Sequence, residues 1–89
     1  MLRLSSARTR FLNDANAINC TFHSRTGSVD CVVSFDVLPR LNGKYMDEET
    51  AWLLVQRDHM DTLVKVIEAK MDSAIKQPIE ISCVDIADD

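Results

Sequence analysis

Residues 47–77, DEETAWLLVQRDHMDTLVKVIEAKMDSAIKQ, decide the fold. The stretch holds neither Gly nor Pro, opens on an acidic cap and stops against Pro78. Asp47 is placed to accept from the open N–H groups of a first turn, and Glu48 and Glu49 sit where the helix dipole favours negative charge. On a helical wheel Trp52, His59, Met60, Leu63, Val66, Ile67 and Ala74 share one broad face. Asp58, Asp61, Lys65, Glu68, Asp72 and Lys76 share the other, and Asp61–Lys65 and Asp72–Lys76 make favourable pairs one turn apart. The pattern predicts one long amphipathic helix.

Strand patterns lie on both sides of it. In AINCTFH (17–23), Ile18, Cys20 and Phe22 alternate with polar residues. In VDCVVSF (29–35), Val29, Cys31, Val33 and Phe35 form the apolar set. Ser24 to Ser28, with Gly27, supplies the turn of a hairpin. Paired residues of that hairpin have a constant index sum. A sum of 53 or of 51 places both apolar sets on one face. FDVLPRL (35–41) reads as a short helical turn broken near Pro39 and Gly43, with Leu38 and Leu41 reaching back to the core, and Asn42-Gly43 is a strong turn signal. PIEISCVDI (78–86) reads as a last strand with Ile79, Ile81 and Cys83 inward.

The expected fold is therefore α+β, a three-stranded, mainly antiparallel sheet packed against one long amphipathic helix in the order β-β-α-β. Residues 1–16 are expected to be a flexible amino-terminal arm, and residues 17–89 one domain. The first twelve residues are Arg- and Ser-rich without an acid, which weakly resembles an organelle transit peptide.

Length carries a second message. A helix from Glu48 to Lys76 would be ~43 Å long, whereas a compact domain of this size is only ~30 Å across. Leu53, Leu54 and Val64 lie toward the flanks of the apolar stripe or off it, widening it beyond the needs of one small sheet. Two solutions follow: a homodimer that covers the stripe through Trp52, Leu53, Met60, Leu63, Val64 and Ile67, or a bend near Gln56–Asp58 that folds the first turns onto the hairpin.

The 89 residues are 46% hydrophobic and 27% charged, the composition of an ordinary globular domain. The net charge of -4 is unevenly spread: residues 1–26 balance at +3 and the rest at -7. An acidic body argues against broad nucleic-acid binding, and leaves Arg3, Arg8, Arg10 and Arg25 as the only candidates for phosphate contact. Three cysteines, none in a Cys-x-x-Cys pair, fit a reducing cytoplasm better than a disulfide framework. No apolar run is long enough for a membrane span.

Chemistry-bearing patterns are few. Cys20, Cys31 and Cys83 share inward parity, but a zinc site lacks its fourth ligand and its tight spacing, so small buried hydrophobes are the expected role. His59 stands at the edge of the apolar stripe, with Asp58 and Asp61 on the far side, so no carboxylate orients it as a base. Only Gly27 and Gly43 are present, which excludes phosphate-cradling glycine loops. No catalytic residue, metal or cofactor is assigned.

Several features recur together: a first strand ending apolar-x-Phe (Ile18 to Phe22), then Gly27, and a second strand with Cys31-Val32-Val33. After them come Leu38 and Leu41, a helix bearing Arg57 and Lys70, and Ile79-x-Ile81 running to Asp85. In this layout, over residues 11–86, the chain resembles a family of short uncharacterised bacterial proteins known as domain of unknown function 1488. The resemblance implies a small α+β fold and no established activity, and it supplies no catalytic residues. The expected function is a small non-enzymatic interaction or regulatory accessory protein that acts as a homodimer, with itself and an unidentified protein as partners. The alternatives are weak nucleic-acid association through the arm, or a small-ligand or metal-binding module.

Overall fold

A computed structural model describes residues 2–73 and 78–86. The class is α+β, with one helical layer on one face of a sheet. Among the described residues the sheet has four strands, β1 (Arg3–Leu12), β2 (Ala17–Ser24), β3 (Gly27–Ser34) and β4 (Ile79–Ile81), in the order β1-β2-β3-β4. β1–β2 and β2–β3 are antiparallel, and β3–β4 is parallel.

The hairpin takes the register with index sum 51: Ile18 faces Val33, Cys20 faces Cys31 and Phe22 faces Val29, all six buried. Arg25 and Thr26 form its tip, where the Ser24 hydroxyl accepts from the Thr26 N–H. Gly27 sits at φ 141°, a backbone state that L side chains rarely adopt.

The flexible arm expected over residues 1–16 does not hold, since Arg3–Leu12 is a full edge strand of the sheet. Its apolar residues do not alternate because the strand bulges. Ser5 pairs with Thr21 and Arg10 with Asn19, so β1 advances five residues while β2 advances two. Leu4 before the bulge and Phe11 after it therefore reach the same inner face, although one number is even and the other odd.

A short helix α1 (Val37–Asn42) buries Val37 and Leu38 and ends on Gly43 in the left-handed region. The long helix follows in three parts: α2 (Glu48–Leu54), a π-helical turn (Val55–His59) and α3 (Met60–Ser73). Asp47 caps it, accepting the Thr50 N–H at 3.0 Å. Ala74 and Lys76, expected to extend the helix, and the closing Asp88 and Asp89 lie outside the described residues.

The π turn explains the broad stripe. Ala51, Trp52 and Val55 are buried, and so are Leu63, Val64 and Ile67, the same pattern twelve residues on. An unbroken α-helix turns by about 100° per residue, so twelve steps would leave the second triad roughly 120° from the first. A π turn absorbs one extra residue, and the remaining eleven steps leave a mismatch of only about 20°. Both triads then face the same core, in the region where a bend was the alternative to a dimer.

Candidate functional site

The residues expected at a dimer interface are mostly spent on the chain's own core. Trp52, Leu63, Val64 and Ile67 are buried, and Met60 packs partly against them. Only Leu53, at 65% exposure, faces outward. The reading of these six as an interface is corrected accordingly: the π turn rotates Val64 inward and leaves Leu53 alone on the outside.

The three thiols do not meet. Cys20 and Cys31 are buried cross-strand partners; burial first pushes each thiol from an ordinary 9.0 up to about 12, helped at Cys20 by Cys31 and then Asp30 and at Cys31 by Asp30. Alternation alone puts Cys83 on the inward face of the last strand, but β4 ends at Ile81 and Cys83 opens a 3-10 turn (Cys83–Asp85). Its N–H donates to Asp36 Oδ1 at 3.1 Å. The hydrogen bond with Asp36 also holds its thiol above the ordinary value, desolvation adds to this, and Arg40 pulls weakly the other way. These are neutral thiols, poor as nucleophiles or metal ligands. Among the described residues no group of three or more His, Cys, Asp or Glu side chains could hold a metal ion.

Cys83 instead lines an open cleft of about 610 Å³ where α1, the α1–α2 connection and the 3-10 turn meet. Phe35, Leu38, Pro39 and Met46 form its apolar floor and wall, and Asp36, Arg40, Lys44 and Glu48 bring both signs of charge. Tyr45 stands on its rim at 90% exposure, and Val84, which follows Cys83 in the chain, is 82% exposed. Sequence reasoning missed both. The available signal was a lone tyrosine inside the turn-coded stretch NGKYMD (42–47), where no core can claim it.

The four arginines lie on and around the sheet. Arg3, Arg8 and Arg10 are exposed on β1, and Arg25 is exposed at the hairpin tip. The structure brings only two of them together: Arg8 and Arg10 line a second cleft of about 500 Å³, with Thr9, Leu12, Asn19 and Thr21. The cleft opens on the sheet face opposite the helices, because Arg10 and Asn19 are register partners of opposite parity to buried Ile18 and Cys20. His23 is exposed near the hairpin tip, and His59 is half-buried on the π turn.

No helix among the described residues is long and apolar enough to cross a membrane. Neither a family model nor a curated protein matches the sequence. Among solved structures, the chain is similar to a protein of unknown function of the domain of unknown function 1488 family from Shewanella loihica PV-4. The two share 18% identity at a TM-score of 0.61, over 91% of this chain and 89% of that one. The layout resemblance read from the residues is thus met by a shared fold, that of a domain of unknown function 1488 protein.

Proposed function

We propose that this chain is a small non-enzymatic interaction protein that acts as a homodimer, with the α1–α2 cleft as the contact surface. One observation carries the reading: Tyr45 stands almost fully exposed on a cleft floored by Phe35 and Met46, and Val84, which follows the cleft-lining Cys83 in the chain, is exposed as well. Tyr, Met and Arg are the residue types enriched where proteins meet. Asp36 and Glu48 beside Arg40 and Lys44 give one patch both signs of charge, which suits a two-fold contact between identical surfaces. Neutral, hydrogen-bonded or buried thiols support a binding role over a nucleophilic one, and they support a reducing compartment such as the cytoplasm.

Light scattering and sedimentation at micromolar concentration test this. The expected result is a dimer that Tyr45→Ala and Val84→Asp each convert to monomer while the melting transition of the fold is kept. A monomer at every concentration, or a dimer indifferent to both substitutions, overturns it.

A further inference from the structure

We infer that the cleft made by the β1 bulge is a binding site for a phosphate group. The site does not depend on the dimer reading, since it lies on the other side of the sheet from the helices. Its basis is electrostatic and geometric. In a chain of net charge -4, the lining residues include two guanidinium groups and no Asp or Glu, and the Asp30 carboxylate beside them accepts the Thr21 hydroxyl. Neither Arg8 nor Arg10 has an ion pair among the described residues.

Arg8 and Arg10 are two residues apart on β1, the spacing that sets side chains on one side of a strand, and both line the cleft beside the bulge. Here β1 lifts away from β2 between Ser5 and Arg10, and the Thr9 hydroxyl donates to the Ser5 carbonyl oxygen at 3.1 Å across the lifted segment. Bulges of this kind re-aim side chains and are common beside functional sites. Arg10 stays in register with Asn19, whose side-chain amide adds a neutral donor to the lining. Thr21 closes the floor at 4% exposure, and its hydroxyl is already committed to Asp30 Oδ1 at 2.9 Å.

Two guanidinium forks and an amide match the several acceptor oxygens of a phosphate, whereas a single carboxylate is satisfied by one fork. The cleft has room for more than the anion alone, so the phosphate can belong to a small phosphorylated molecule or to a nucleic-acid backbone. In either case Arg8 and Arg10 do the binding, and Arg3 and Arg25, outside the cleft, do not.

Nuclear magnetic resonance of the full chain tests this by following the arginine Nε–Hε signals at low ionic strength during titration with inorganic phosphate. Arg8 and Arg10 are expected to shift saturably while Arg3 and Arg25 stay put. Arg8→Gln and Arg10→Gln should each weaken binding roughly tenfold, the loss of one charge-assisted contact. Both positions are exposed, and an unchanged melting curve shows that the variants fold. A parallel titration with a short single-stranded oligonucleotide identifies the source. Tighter, steeply salt-dependent binding through the same two signals assigns the phosphate to a nucleic-acid backbone. Shifts with inorganic phosphate alone assign it to a small molecule. Absence of any saturable shift at Arg8 and Arg10 with either probe, or undiminished phosphate affinity read at the remaining guanidinium of each single variant, overturns the site.

Discussion

Lys70 Nζ lies 2.9 Å from the Asp85 carboxylate and donates to the Glu80 carbonyl oxygen at 2.8 Å. Asp85 in turn accepts the Ser82 N–H at 2.9 Å. These contacts tie the last turns of α3 to a closing strand only three residues long. Desolvation pushes the Asp85 carboxyl up, but the Ser82 N–H and Lys70 outweigh it and hold the group below the ordinary value. A depressed carboxyl contributes stability above its unfolded pKa of about 3.9 and loses it as pH falls through the folded value. Asp85→Asn should therefore lower stability by about 1 kcal/mol at neutral pH, with the difference from wild type closing in acid. Urea unfolding at both pH values measures this, and equal stability at neutral pH would show that the latch contributes nothing.

The π turn makes an unusual deletion tolerable. Removing Arg57, exposed on that turn, takes out the extra residue and leaves the two buried triads separated by eleven α-helical steps, still within about 20° of alignment. The Arg57 deletion should fold with a near-native melting transition. Removing Glu68 from α3 instead swings every later residue by about 100° and should unfold the carboxyl-terminal turns. Circular dichroism on the pair decides it, and a Arg57 deletion that fails to fold contradicts the rephasing.

Trp52 and Leu53 are neighbours with opposite fates. Trp52 is 3% exposed, within the core cluster. Trp52→Ala should cost about 3–5 kcal/mol. Leu53→Ala should stay within about 0.5 kcal/mol of wild type. Intrinsic fluorescence gives a parallel readout, since a buried Trp52 emits at short wavelength and is protected from aqueous quenchers. Ready quenching in the native protein would place Trp52 outside the core.

Alkaline pH should destabilise the chain through Cys20 and Cys31. Their thiols ordinarily ionise near 9.0 and are pushed up to about 12 by burial. Between those values the unfolded chain has released protons that the folded chain still holds, so stability falls as pH rises. A maleimide at mildly alkaline pH should leave Cys20 and Cys31 unmodified in the native protein, modify Cys83 slowly, and reach all three in urea. Intact-mass measurement counts the adducts, and rapid modification of Cys20 or Cys31 in the folded state would refute their burial.

Much of the candidate chemistry was legible as residue type and little of it as position. The arginines were visible in the sequence, but a strand that changes parity within the bulge hides its own periodicity. Arg8 and Arg10 therefore read as part of a loose arm rather than as one cleft. Tyr45 carried a signal in its turn-coded neighbourhood, but Val84 carried none, because a three-residue β4 followed by a 3-10 turn looks like a continued strand. Cys83 was misplaced for the same reason.

Local rules acting over a few residues determined the hairpin and its inward faces, the Asp47 cap, the helical turn ending at Gly43 and the α+β class, since alternation, capping and turn chemistry are properties of neighbours in the chain. Tertiary packing alone decided that Arg3–Leu12 joins the sheet, that one residue is absorbed at Val55–His59 and that the broad stripe is covered from within. Those outcomes depend on matching the phase of one element to the surface of another, and a phase mismatch of one residue is resolved only where the two surfaces meet.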